Sequence, residues 1–374
     1  MSDRRFGLIV NPIAGMGGSV GLKGTDGLEV LAEAQRRGAR PGSADRTAVT
    51  LRHIENHDGV ILVAGGAMGE DVARVAGFRT QRVSEVQLRS SAEDTIAAAR
   101  RMAEEGAEFI VFAGGDGTAR DVHSVIGGSL PLLGIPTGVK MQSGVFATSP
   151  AAAGRLISLL LSTAPGTRLR FEHAEVMDVD EDELRHGRIV PRLHGYAKVP
   201  AERLLLQQAK SRAMPDDDVA TAATAAAIAA ELQPDIFYVI GPGHSAKQVL
   251  NALGLATHVL GVDLVQDGKL VGSDLSAADL RAMTAGAPLR IIAGVTGGQG
   301  FLFGRGNQQI DADIIARAGR NGITVIAGLR KLAALDPPRL LVDTGDPQVD
   351  AALSGYWRVC CGPSRWSVVR VEAA

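Results

Sequence analysis

The chain has 374 residues, of which 45% are hydrophobic and only 4% aromatic, so aliphatic side chains must build its core, and the length is expected to divide into two domains of ordinary size. Its 39 basic and 41 acidic residues nearly cancel and form no long run of one sign, which removes the electrostatic footprint of a nucleic-acid binder or a membrane-surface protein. The two cysteines, Cys360 and Cys361, are neighbours and make a poor structural disulfide, so a reducing compartment is expected.

The N-terminal apolar run Phe6 to Val10 is stopped by Asn11-Pro12, well short of a signal-peptide core. The longest uncharged apolar stretch, Val219 to Ala230, is much shorter than the roughly 20 residues a bilayer span needs. A cytoplasmic protein with a small-molecule partner, no nucleic-acid or membrane partner, and a homo-oligomeric state is the expectation.

Phe6 to Val10, Gly59 to Ala64 and Phe109 to Ala113 are continuous apolar runs without two-residue alternation, the pattern of strands covered on both faces. Between the second and third lies a helix that Ser91 can cap, with Glu93 and Asp94 at its positive end and Gly106 as its stop. The fold class is therefore α/β. A Rossmann-like parallel-sheet domain over residues 1–147 precedes a second, mixed α/β domain with β-hairpin elements over 148–374, with the linker near Ala147 to Pro150. The later elements are a helix from Ala152 to Ser162 and a hairpin of Thr167 to Val179 with Arg188 to Val199 around Gly187. An alanine-rich helix ending before Pro234, a strand Ile236 to Ile240 and a strand-like terminus Tyr356 to Val371 complete them.

In an open parallel sheet, ligands bind at the carboxyl ends of the strands, so the loops after residues 10, 64 and 113 should share one rim. The strongest chemical signal follows the third strand: Gly114-Gly115-Asp116-Gly117-Thr118, opening into a helical pattern. Glycines admit close backbone approach and a helix N-terminus favours phosphate, so an aspartate there is out of place unless it binds a metal or takes a proton from an attacking hydroxyl. The alternative is a tight turn with Asp116 as helix cap.

The first loop offers Asn11, Gly15, Gly17, Gly18 and Lys23 as a phosphate cradle without Walker spacing. Ala64 to Asp71, again glycines with carboxylates, reads as lining, and Lys140 within Gly134 to Gly144 could neutralise phosphate charge. In the second domain Gly241, Gly243 and Ser245 form another strand-turn-helix start and a second candidate anion site. Gln299, Arg305 and Asn307, in the loops Gly297 to Gly300 and Gly304 to Gln309, suit ribose hydroxyls or a base edge. Asp343 to Asp346 reads as a turn. The eight histidines fall in no metal-ligand spacing, Gly-x-Ser-x-Gly is absent, and no full Gly-x-Gly-x-x-Gly with an acidic partner occurs. Zinc enzyme, hydrolase and dehydrogenase are thereby disfavoured, and no protein metal ligands are assigned.

With the Gly114 to Thr118 loop and the Asn11-Pro12 loop in view, the chain resembles the ATP-NAD kinase family, in the superfamily that includes diacylglycerol and sphingosine kinases. The stretches Gly7 to Gly27, Gly134 to Pro150, Ala174 to Asp180 and Gly297 to Gln309 look like its ATP-NAD kinase-like and acetoin-catabolism protein X-like branch. The resemblance implies transfer of phosphate from ATP or polyphosphate, with Mg²⁺, to the 2′-hydroxyl of the adenosine ribose of NAD, with Asp116 as base or orienter. The Asn-Glu pair by which such kinases touch their substrate is here Ala174-Glu175, keeping only Glu175 as a binding residue. That departure leaves open another small alcohol as acceptor, or a sensor that binds NAD or ATP without turnover.

Overall fold

The computed structural model describes residues 4–22, 28–55, 59–86, 89–138, 141–162, 170–179, 191–202, 205–206, 215–256, 258–296 and 298–374. The chain forms two compact units: residues 1–16 with 40–209, and residues 17–39 with 210–374. The expected boundary after residue 147 is thus not where the units part, because residues 148–209 pack with the first.

The elements through residue 200 are β1 (Phe6–Val10), α1 (Leu28–Arg36), α2 (Ser43–Arg52), β2 (Val60–Val63), α3 (Glu70–Val75), β3 (Arg79–Arg82), α4 (Ala92–Glu104), β4 (Phe109–Gly114), α5 (Asp116–Ile126), β5 (Leu132–Pro136), α6 (Pro150–Ser162), β6 (Phe171–Val179) and β7 (Pro191–Pro200). All but α1 belong to the first unit. Its sheet is parallel throughout, in the order β3-β2-β1-β4-β5, with the unbroken apolar runs β1, β2 and β4 inside it and the polar β3 at one edge. Phe6 pairs with Phe109 in register and their rings stack at 5.3 Å. Gly7 admits α4, since a Cβ there would lie 2.6 Å from the Met102 sulfur. The helix α4 starts at a capping box in which the Ser91 hydroxyl accepts from the Asp94 N–H and the Asp94 carboxylate accepts from the Ser91 N–H. The strands β6 and β7 form the expected antiparallel hairpin; Gly187 lies outside the described residues.

In the second unit the chain continues as α7 (Pro215–Ala230), β8 (Phe237–Ile240), α8 (His244–Ala252), β9 (Asp263–Gln266), β10 (Lys269–Gly272), α9 (Ala277–Met283), β11 (Leu289–Gly294), β12 (Phe301–Phe303), α10 (Ala312–Ala318), β13 (Ile323–Ile326), α11 (Leu329–Ala333), β14 (Arg339–Val342), α12 (Pro347–Leu353), β15 (Gly355–Gly362) and β16 (Arg365–Ala373). Its mixed nine-stranded sheet runs β10-β9-β8-β11-β13-β15-β16-β14-β12. Asp267 and Gly268, at φ 52° and 70°, make the tight turn between β9 and β10, a conformation that Asp-Gly adopts readily. One buried cluster gathers Val249, Leu250, Ile292 and Ile326; a second gathers Ile291, Phe303, Ile314 and Trp357. No helix among the described residues is long and apolar enough to cross a membrane.

Candidate active site

Strand order in the first unit reverses between β1 and β4, and the crevice of such a sheet opens at the loops following those two strands. There the Asn11 N–H donates to the Ala113 carbonyl at 2.9 Å. The Asn11 side chain accepts from the Ile13 N–H at 3.2 Å and donates to the Thr118 hydroxyl at 3.1 Å. The Thr137 and Gly138 N–H groups both donate to the Gly114 carbonyl, at 3.3 and 3.1 Å. From α2, the Ser43 hydroxyl donates to the Ala14 carbonyl at 3.1 Å and Arg46 Nε to the Pro136 carbonyl at 2.5 Å.

Several of the expected phosphate-cradling glycines are used to bring loop against loop. A Cβ on Gly15, which sits at φ +80°, would stand 1.9 Å from the Thr137 carbonyl oxygen. One on Gly138 would stand 2.7 Å from the Gly115 Cα, and one on Gly114 would strike the Thr118 side chain at 2.4 Å. Gly117 differs: its nearest neighbour is an Arg120 nitrogen at 3.9 Å, so its face of the α5 start is open. The Thr137 hydroxyl is buried among these loops without a partner among the described residues.

Asp116 is the first residue of α5, and Gly115 occupies the cap position with no side-chain cap bond, so the helix-cap alternative is not the arrangement found. The carboxylate reaches across to the loop after β5. Its Oδ1 accepts from the Ser143 N–H at 3.0 Å and the Ser143 hydroxyl at 2.6 Å, and its Oδ2 from the Gln142 N–H at 2.6 Å. Asp116 is 5% exposed. Burial raises its pKa to about 7, against the lowering pull of those three bonds, and the like charge of Asp178 adds to the rise. A carboxyl titrating there is divided between acid and base at neutral pH. Of the roughly four acceptor sites of a carboxylate, three are filled, and the unfilled one is on Oδ2.

The same loop meets β6. The Gly144 N–H donates to the Glu175 carbonyl at 2.9 Å, and the Ser143 hydroxyl lies 2.9 Å from both the Met177 N–H and its carbonyl. Arg120 of α5 pairs with Asp178 at 2.5 Å and with its neighbour Asp121 at 3.0 Å. Asn11, Gly15, Gly114, Gly115, Asp116, Gly117, Thr118 and the strand of Glu175 are thereby linked within one unit. In the Ala64 to Asp71 loop, Glu70 is buried, accepts from the Gly66 N–H at 3.1 Å and pairs with Arg74 at 2.7 Å.

The remaining candidates belong to the second unit or lie outside the described residues. Gly17 and Gly18 accept turn bonds from Leu22 and Gly21, and the Ser19 carbonyl receives the first N–H of α9, at 2.9 Å. The loop read as one cradle therefore divides after Met16. The Gly241 and Gly243 N–H groups donate to Ile292 and Val259 carbonyls, and Ser245 is buried. Arg305 pairs with Asp343 at 2.8 Å and lies over the Phe301 ring, while Asn307 accepts from Gly304 N–H and donates to the Leu302 carbonyl. Both are buried, Asn307 bonded within its own stretch of chain and Arg305 to Asp343, and Gln299 is buried as well. Asp346, read as part of a turn, caps α12. Lys23, Lys140 and Gly297 lie outside the described residues.

Family models for the N-terminal and C-terminal domains of ATP-NAD kinase match residues 6–164 and 234–371. The chain belongs to the ATP-NAD kinase family. Its class is that of an ATP-dependent kinase. The first match of this ATP-NAD kinase family member carries the parallel sheet, Asn11 and Asp116; the second carries most of the nine-stranded sheet with Gly241, Arg305 and Asn307. Neither the curated proteins nor the solved structures contain a match to the chain.

Family members act with a divalent metal. Among the described residues no three His, Cys, Asp or Glu side chains converge as a metal cage, and the Asp116 carboxylate is already bonded to three donors. These residues do not fit a protein-held ion, and a divalent cation accompanying the triphosphate would take its ligands from phosphate oxygens and water. Gln142, Ser143, Thr137 and Arg46 escaped the sequence reading. The segment Gly134 to Gly144 drew notice for its lysine, although Ser143, in the same glycine-rich stretch after a strand, is the side chain that meets Asp116.

Proposed function

We propose that this kinase transfers the terminal phosphate of ATP, or of polyphosphate, to the 2′-hydroxyl of the adenosine ribose of NAD, giving NADP, with Mg²⁺ accompanying the donor. The observation that carries the reading is Asp116, a buried carboxyl titrating at about 7 at the reversal of strand order, with one acceptor site left on Oδ2. In this reading the ribose hydroxyl donates to Oδ2, its oxygen attacks the terminal phosphorus in line, the bond from that phosphorus to the bridging oxygen breaks, and the alcohol proton passes to Asp116. The α5 N-terminus, open at Gly117, supplies N–H groups and positive dipole to phosphate oxygens. Positioning and charge stabilisation then account for most of the acceleration. Asn11 and Thr118 hold the phosphate-side loops in place, and Glu175 is the substrate contact retained from the family's pair.

Ala174 in place of the family's asparagine supports a second reading, the same chemistry on another small alcohol. It sits in the β6–β7 ladder opposite Ala197, with no side-chain amide to offer a nicotinamide nucleotide. Incubation with ATP, Mg²⁺ and NAD, followed by an NADP-specific cycling assay, tests the first reading. Product there establishes NAD; labelled phosphate appearing only on other alcohols of a panel replaces it; binding by calorimetry with no product on any acceptor reduces the protein to a sensor. A cytoplasmic location is part of this proposal, and it is supported by Cys360 and Cys361 not being joined in a disulfide.

A further inference from the structure

Ser143 is fully buried and contacts the reacting carboxylate through both its main chain and its side chain. Its hydroxyl oxygen accepts from the Met177 N–H of β6, and its single proton has two acceptors within reach, Asp116 Oδ1 at 2.6 Å and the Met177 carbonyl at 2.9 Å. A hydroxyl carries one donor and two acceptor sites, so this oxygen is satisfied in two states. When Asp116 is ionised the proton turns to Oδ1. When the alcohol proton arrives on Oδ2 the serine proton stays turned to Oδ1, and a proton that moved on to Oδ1 would donate to the Ser143 oxygen while the serine proton turned to the Met177 carbonyl.

We infer that Ser143 is a positioning residue for Asp116: by bonding Oδ1 in both protonation states it fixes the carboxyl plane, supports the ionised form, and confines exchange with the acceptor hydroxyl to Oδ2. This rests on the reading of Asp116 as the base. It also joins the base to the strand of Glu175, since Met177 lies two residues beyond it. Other charges around the carboxylate are Asp178 of β6, held by Arg120 of α5, with Asp121 and His123 further along α5. The strands β4 and β5 carry no titratable side chain.

Ser143→Ala and the near-isosteric Ser143→Cys, whose thiol is a weak donor, test this against the wild-type chain. The acid limb of the kcat profile is expected to move upward by about one pH unit in the alanine variant and by less in the cysteine variant, so that kcat falls about tenfold below the limb and recovers above it. KM for the acceptor should change little. The carboxyl carbon of Asp116, followed by NMR in ¹³C-aspartate-labelled protein and assigned by its loss in Asp116→Asn, should titrate with the same displacement without any turnover. An unmoved midpoint in folded alanine or cysteine variants overturns the positioning role. Normal activity in Asp116→Asn instead overturns the base reading, and the NMR midpoint still decides whether Ser143 governs the carboxyl. If the alanine variant does not fold, the cysteine variant decides.

Discussion

The Asn11 side chain donates to the Thr118 hydroxyl across 107 positions of sequence, tying the loop after β1 to the first turn of α5. Asn11→Ala removes that bond and the turn bond to Ile13. The expected cost is about 1–2 kcal/mol of stability from two modest hydrogen bonds, read as a lower urea midpoint, with a rise in KM for ATP. A raised KM with an unchanged midpoint would show the bond to be irrelevant to the fold.

Asp116→Asn removes the proton acceptor while keeping the side-chain shape. Turnover should fall by roughly 10²- to 10⁴-fold with a small change in KM, the magnitude of a lost general base. Steady-state kinetics across pH on the folded variant checks it, and near-wild-type kcat would remove Asp116 from the chemistry.

The pH dependence of stability has a definite sign. Asp116 titrates at about 7 in the folded chain against the ordinary 3.8, so the native state holds the proton more tightly than the unfolded state. Its contribution is fully present below 3.8 and is lost as pH rises through about 7. Relative to Asp116→Asn, the wild type should lose on the order of a few kcal/mol over that window, measured by paired urea melts at each pH. A difference that stays constant between the two proteins would mean the carboxyl titrates at its ordinary value.

Two glycines of the site should respond in opposite ways. Gly15→Ala forces a Cβ onto the Thr137 carbonyl at a positive φ and is expected to cost more than about 1 kcal/mol. Gly117→Ala, inside α5 and facing open space, should stabilise the fold by roughly 0.5–1 kcal/mol, yet raise KM for ATP if phosphate oxygens rest there. Thermal melts with kinetics separate the effects; unaltered ATP affinity in Gly117→Ala would place the phosphates elsewhere.

In the second unit Lys247 of α8 and Asp263 of β9, each 2% exposed, pair at 2.5 Å, and Asp263 also accepts from the Ser273 hydroxyl at 2.8 Å and the Asp274 N–H at 3.0 Å. Burial pulls the Lys247 pKa down, against the Asp263 charge. Lys247→Met strands a buried carboxylate and should cost about 3–5 kcal/mol, seen as a large drop in urea midpoint, part of which returns in Lys247→Met/Asp263→Asn. Equal loss in single and double variants would contradict the pairing.

The centre of the parallel sheet was legible because β1, β2 and β4 are apolar without interruption, whereas the polar edge strand β3 was not, and α4 was legible because Ser91 and Asp94 satisfy its first N–H groups whatever surrounds them. Asp267-Gly268 between apolar pairs was an available turn signal that the reading passed over. Asp116 stood out through its setting among glycines. Its partners did not, because a bond to Ser143 spans 27 positions and depends on how two loops pack. Arg305 and Asn307 looked like ligand readers for the same reason: nothing local reveals that Asp343, 38 positions on, takes the guanidinium. The glycines showed where backbone comes close, but not that the approaching partner at Gly15 and Gly115 is the protein itself.

The chain passes between its two units three times, after residues 16, 39 and 209. During synthesis the first unit is complete once residue 209 has emerged, whereas the segment 17–39, made almost first, must wait for residues 210–374 before it has anything to fold with. No single cut can therefore part the two cleanly: one after residue 209 leaves the first unit whole but carrying segment 17–39, an orphaned piece of its neighbour.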